Sequence, residues 1–449
     1  MDTLLDHVML SRFQFAFTAM FHILWPALTI GLSLYILAME GMWLKSKNRT
    51  YYHQARFWTR LFIINFAVGV VSGIPMEFQF GTNWGGFSTA GGDIFGHFMG
   101  FEATMAFMLE AAFLGIMVWG WKRVPPFMHL FATAMVTLGS SLSAFWIMTA
   151  NAWMQTPAGG NFEKGRFVAE SNIDAILNAN MPWAVSHMWA ACLEVTVFVV
   201  GGISAWQILK GKHVDFFLRS FKTAVLGAMV ITPLQIYLGD GSGRQIEEIQ
   251  PTKLAAMEAL WQTNAPGEGA SWNILAWPDR AEQKNKWSIS IPHGLSLFMT
   301  FSLDGQVKGL KDFPVEDQPP VWLPFYSFRI MFGLGSLFFL LALWTLWAWR
   351  KGRLKAEKIF QQKMLMLSWV AALPLSYVAM EAGWVTREVG RQPWIIYGVL
   401  RTGDAASPLP AYSVLGSMVI FGLLYLVLFF LFLCFVRNII EKGPEEEER

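Results

Sequence analysis

The sequence predicts an all-α integral membrane protein, a nine-helix transmembrane bundle. Of its 449 residues 54% are apolar and only 15% charged, against about 25% charged in soluble proteins. The apolar residues gather into runs long enough to cross a bilayer, which takes roughly 20 helical residues. Lys and Arg concentrate in alternate connecting segments. A soluble enzyme is thereby excluded, and a net charge of +2 leaves no global field to attract nucleic acid or an acidic partner. Cys192 and Cys434 both fall in apolar runs, which excludes a disulfide scaffold or thiolate metal cluster and reads as two packed thiols. The opening MDTLLDHVMLSRF lacks the basic segment and small-residue cleavage site of a signal peptide, so the first apolar run is expected to stay in the mature protein.

The nine runs lie near residues 13–38, 60–80, 95–120, 126–150, 183–208, 221–238, 323–349, 364–386 and 412–436, the sixth being the weakest because Pro233 interrupts it. Lys45, Lys47, Arg49 and Arg56 follow the first, Lys122 and Arg123 the third, and Lys210, Lys212, Arg219 and Lys222 the fifth. Six cations from Arg350 to Lys363 follow the seventh, and Arg437, Lys442 and Arg449 the ninth, whereas the opposite segment 81–94 has none. Cations accumulate in short cytoplasmic loops, so the N-terminus is expected outside and the C-terminus in the cytoplasm. Residues 1–238 then carry helices one to six, 239–322 form a long outer loop, 323–437 carry helices seven to nine, and 438–449 are an acidic cytoplasmic tail. Long loops between spans are more often functional than filler.

Ionisable groups at membrane depth cost about 2.5 kcal/mol or more on insertion scales, so each marks a candidate function. His22 lies in span one, Glu77 closes span two, Glu102 and Glu110 lie in span three, and His187 and Glu194 in span five. Arg329 and Met331 lie in span seven, and Glu381, Trp384, Glu388 and Arg391 follow at i, i+3, i+7 and i+10 along span eight, one stripe of a helix. At about 1.5 Å per residue, His22, Glu102, His187, Met331 and Glu388 fall in one layer of the outer half. No HExxH or similar spacing supports zinc. Haem iron takes single ligands from separate helices, which suits His and Met on different spans. Each signal alone has a plainer reading: a hydrogen-bonded packing histidine, a core methionine, an internal Glu388–Arg391 salt bridge. Glu102 and Glu110, with Ser140 and Ser143 on span four, form either a proton relay or protonated carboxyls joining helices.

The blocks SRFQFAFTAMFH (11–22), MEFQFGTNW (76–84), FEATMAFMLEAAF (101–113), GSSLSAFWIMTANAWMQTP (139–157), TKLAAMEALW (252–261), FRIM (328–331) and EAGWVTREVGRQPW (381–394) resemble one family, subunit I of the cytochrome bd type quinol oxidases of bacteria. The resemblance runs from Ser11 to about Arg437. It implies that His187 and Met331 are axial ligands of a low-spin haem b. His22 would ligate one of the two haems of the oxygen-reducing centre, with Glu102 and Glu388 the carboxylates at that pair. Trp384 would stand between haems. Arg12, Arg391 and Arg329 would bind the cofactors, Arg12 and Arg391 by neutralising propionates or stabilising bound oxygen. Lys253 and Glu258 match quinol-binding residues, and would meet one ligand only if their segment is helical. Glu110 and Ser140 match a proton route from the cytoplasm.

The implied cofactors are two haem b, one low-spin and one high-spin, and one haem d or a third haem b in its place. The loop passes from GLKDFPVEDQPPVW (309–322) straight into span seven, which resembles the short-loop branch that includes cyanide-insensitive oxidases. The implied partners are a homologous subunit II, a small single-span accessory subunit, membrane lipid, quinol and O2, in the bacterial inner membrane. Rival readings are a haem b electron carrier without oxygen chemistry and a haem-free proton-coupled transporter. The latter is expected to show inverted repeats, and none is seen.

Overall fold

The computed structural model describes residues 6–445, so the outermost part of the acidic tail, 446–449, lies outside the described residues. Among them are nine helices long and apolar enough to span a membrane. They are α1 (His7–Ser46), α2 (Arg49–Thr82), α3 (Gly85–Trp119), α4 (Pro126–Gln155), α5 (Met181–Leu209), α6 (Val214–Ile249), α7 (Trp322–Arg350), α8 (Lys363–Val389) and α9 (Ala411–Lys442). Local chemistry sets their ends. The Asp6 carboxylate accepts from the Val8 amide at the start of α1, Lys47 closes that helix in the left-handed region, and Asn48 caps α2.

Two departures from the sequence reading matter. Pro233 does not break α6, which continues to Ile249, beyond the hydropathy limit at 238; membrane helices tolerate proline because their neighbours supply packing and partners. Span three is not a uniform α-helix: Glu102–Phe107 form a π turn between α-helical halves, a feature frequent at functional sites.

Helices α1–α4 pack as one four-helix bundle and α5–α8 as a second; α5 joins them by packing on α1 and α4, and α9 rests on α1 and α2. The main core follows these contacts, from Trp58 and Phe62 through Phe198 to Phe338 and Trp369. Because the helices alternate in direction, three antiparallel hairpins stand at the end where α1 begins. They are β1–β2 (Gly160–Glu163, Arg166–Ala169), β3–β4 (Trp272–Asp279, Lys284–Ile291) and β5–β6 (Trp394–Ile396, Leu400–Arg401). The connection from α6 to α7 is ordered: it contains a two-turn helix, Pro251–Met257, hairpin β3–β4 and helix Gly294–Thr300. Its small core, including Ala256, Trp261, Ala276 and Leu310, packs on Phe325 of α7.

Candidate functional site

Each of the three proposed axial ligands faces a glycine on a neighbouring helix. A Cβ placed at Gly73 of α2 would lie 3.0 Å from His22 Cε1, one at Gly239 of α6 3.4 Å from His187 Cε1, and one at Gly383 of α8 2.9 Å from Met331 Sδ. The proposed ligands come from the motifs; the opposing glycines do not, since only the packing pairs them. The His22 ring is oriented by Ser72 Oγ at 3.1 Å from Nδ1. His187 Nδ1 has no partner, and its Nε2 stands 3.5 Å from the Gln235 amide. His187 and Met331 belong to the same four-helix bundle, on α5 and α7.

Helix α4 carries most of the remaining polar partners, arranged in order along it. Glu110 accepts a short hydrogen bond from Ser140, and Glu102 accepts from Ser143 at 2.8 Å. Trp384 packs beside Met148 and Ala152, with Ala184 of α5. Asn151 donates to Glu388 at 2.9 Å, and the Gln155 amide lies 3.5 Å from the same carboxylate. Toward the opposite end, Thr133 donates to Glu40 of α1 at 2.9 Å, and His129 Nδ1 lies 2.9 Å from the other Glu40 oxygen. Sequence reasoning missed this buried pair, although His129, Thr133 and Ser140 recur at helical spacing. The partners of Glu102 and Glu388 on α4 are eight residues apart, Ser143 and Asn151, about 12 Å of helix rise. The expected single layer is therefore two levels. Glu77 is exposed on α2, within electrostatic reach of Glu102.

Helix α8 ends at Val389, so Arg391 reaches Glu388 from the following turn rather than continuing the helical stripe. The salt bridge is present, and it belongs to a larger network. Arg387, which the motif reading did not single out, donates to Asn151 at 2.5 Å and Asn180 at 2.7 Å. Lys253 donates to Gln155 Oε1 at 2.5 Å. Arg12 donates to Gln392, one residue beyond Arg391. Burial, reinforced by Arg387 and Arg391, pushes the Lys253 amine well below the usual lysine range.

Lys253 and Glu258 do not converge. Their segment is helical as required, yet five residues turn through about 500°, and Glu258 pairs instead with Arg329 at 2.6 Å. Arg329, expected at a cofactor, also donates through Nε to the Asn273 carbonyl at 2.8 Å. Burial raises the Glu258 carboxyl above the usual carboxylate range although Arg329 pulls it down.

These residues fit the haems implied by the motifs. Arg387 and Arg391, with Lys253 beside them, surround the single carboxylate Glu388, and the two guanidiniums exceed its charge, an excess suited to propionates. Buried atoms of His187, Trp384, Glu381 and Arg391 have no hydrogen-bond partner among the described residues. An open apolar cleft of about 500 Å³ between α1, α7 and α8, walled by Met20, Leu24, Ile330, Tyr377 and Glu381, has none of the proposed haem ligands in its lining. No group of three or more His, Cys, Asp or Glu suited to a metal ion occurs among the described residues.

Comparison with known proteins gives a consistent result. The family model described as cytochrome bd terminal oxidase subunit I matches residues 10–444. The chain is 37% identical over 456 residues to cytochrome bd ubiquinol oxidase subunit 1 of Bacillus subtilis (strain 168), covering 99% of this chain and 95% of that one. It is 35% identical over 489 residues to cytochrome bd-II ubiquinol oxidase subunit 1 of Escherichia coli (strain K12), covering 94% and 93%. Among solved structures, the bd oxidase from Geobacillus thermodenitrificans aligns with a TM-score of 0.89 at 31% identity, covering 98% and 99%.

Proposed function

The chain belongs to the family of cytochrome bd terminal oxidase subunits I, and from that premise we propose how its residues divide the work of oxidising quinol and reducing oxygen. It is a haem-bearing, multi-pass quinol oxidase subunit of a respiratory chain. The rival readings, a carrier without oxygen chemistry and a haem-free transporter, do not fit a family match from residue 10 to 444.

Bound haem supplies one-electron carriers and the iron at which oxygen is reduced to water. His187 and Met331 hold the low-spin haem b. His22, Glu102 and Glu388 serve the oxygen-reducing pair, and Trp384 stands between the two bundles that contain these sites. Arg391, Arg387 and Arg12 offset propionate charge. Glu258, held by Arg329, and Lys253, held by Gln155, are the quinol-side groups. A buried carboxyl whose proton affinity is raised is suited to take a proton from a quinol hydroxyl.

In the bacterial inner membrane, with the N-terminus and the 250–321 connection outside, protons from quinol leave on the outer side. Those consumed by oxygen enter from the cytoplasm along Glu40 and His129, then Thr133, Ser140 with Glu110, and Ser143 with Glu102. Hydroxyls and carboxyls that both donate and accept can pass protons in this way. Charge then separates without a pump, at about 2.3 kcal/mol per charge per 100 mV. A homologous subunit II and a single-span accessory subunit are the protein partners.

The observation that carries this reading is the matched set of ligand and glycine, His22 with Gly73, His187 with Gly239, Met331 with Gly383. The test is a reduced-minus-oxidised spectrum with haem extraction on the purified complex and its His187→Ala and His22→Ala variants. Each substitution is expected to remove a different haem signal. A chlorin band identifies haem d at the third site, and only b-type signals with intact quinol oxidase activity identify haem b. An unchanged spectrum in both variants would refute the ligand assignment.

A further inference from the structure

Hairpin β3–β4 is amphipathic in the inverted sense. Its register pairs Trp272 with Ile291 and Leu275 with Ile289 on one face, and Asn273 with Ser290 and Ala276 with Ser288 on the other. Successive side chains of a strand point to opposite faces. Asn273 and Ala276 are buried against the connection's own core, whereas Leu275, Trp277, Trp287, Ile289 and Ile291 are 42–56% exposed. The apolar face thus points away from the protein, outside the nine spans. Monomeric soluble surfaces rarely leave such a contiguous apolar patch uncovered.

The patch is continuous with the exposed apolar side of α7. Trp277 meets Trp322 at 5.7 Å between ring centroids, and Trp272 meets Phe332 at 5.6 Å and Phe298 at 5.3 Å. Beyond these rings α7 presents Leu323, Leu337 and Leu340, all more than half exposed. Tryptophans at the end of a span are the usual occupants of the bilayer interface. The hairpin tip is charged, with Lys286 paired to Asp279 at 2.9 Å and Lys284 to Glu282 at 2.5 Å, suited to the headgroup layer.

We propose that the outward face of β3–β4 beds in the lipid of the outer leaflet, making this hairpin an interfacial membrane-binding element. The same strand supports the quinol-side pair: the Asn273 carbonyl accepts from Arg329, and its amide donates to the Glu258 carbonyl at 2.9 Å. Lipid contact would therefore hold Glu258 and Arg329 one strand away from the reservoir in which a lipophilic quinol dissolves. That last consequence rests on the function proposed above; lipid contact itself does not.

The test uses the assembled oxidase in nanodiscs. Ile289→Cys and, on the opposite face, Ser288→Cys are each made in a Cys434→Ser background and labelled with nitrobenzoxadiazole. Preparations are matched by their haem difference spectra. The label at 289 is expected to emit to the blue of that at 288 and to be quenched by a shallow doxyl phospholipid, whereas aqueous iodide quenches 288 more strongly. Equal iodide quenching at both sites would overturn the proposal. So would a 289 label shielded from both quenchers, which would mark a protein interface.

The unmodified chain gives an independent reading with a phospholipid carrying a diazirine near its headgroup. Adducts within Trp272–Ile291 are expected. Adducts on α7 with none on the hairpin would refute lipid contact. Finally, Ile289→Ser with Ile291→Ser is expected to raise KM for a long-tailed quinol but not for a short-chain one. Intact labelling results with an unchanged KM would reject only the quinol consequence.

Discussion

Glu258 shows how far a motif reaches at the scale of single residues. TKLAAME marked both Lys253 and Glu258, but which groups they touch depends on where their short helix lies, and it delivers one to Gln155 and the other to Arg329. Arg387 and the Glu40–His129 pair escaped notice because their meaning lies in partners that are distant in sequence, Asn151, Asn180 and Thr133. The Glu258 carboxyl is raised in the folded protein. Its contribution to stability is fully present below the unfolded carboxyl value and is lost as pH rises through the folded one. Glu258→Gln cannot ionise, and its stability should lack this decline. Protease susceptibility of the 250–321 connection, followed from acid to neutral pH in both proteins, reads the difference; parallel pH profiles would contradict the assignment. Arg329→Met, which leaves Glu258 buried without its cation, should cost about 3–5 kcal/mol and loosen the same connection in that assay.

At the scale of elements, hydropathy located all nine spans, because helix length and apolar content are local properties. It was blind to the π turn at Glu102–Phe107 and to the continuation of α6 past residue 238, since both depend on neighbouring helices. Helix pairing also explains the glycines. A Cβ at Gly383 would lie 2.9 Å from the Met331 sulfur, so Gly383→Ala must push the thioether aside, at no more than about 1 kcal/mol because it is the end of a flexible side chain. The expected result is a low-spin haem signal lost or shifted in the difference spectrum while the signals of the His22 centre persist. A spectrum identical to that of the parent would show that the methionine is not a ligand.

Across the whole molecule, the charge pattern suggested an orientation and the motifs a family, whereas the division into two bundles with α4 as a common polar spine came only from packing. The long outer connection was read only as a functional loop, and the two faces of hairpin β3–β4 escaped notice, its tryptophans and isoleucines interleaved with polar residues and flanked by lysines and acidic residues at its tip. A two-stranded sheet is marginal alone in water, and this one carries an outward apolar face, a feature that promotes aggregation. The bilayer would then serve as its missing second layer. A peptide of residues 250–321 freed from the spans should accordingly self-associate in buffer and disperse when lipid vesicles are added, as light scattering would report. For this connection, the membrane would then be a condition of solubility as well as a support.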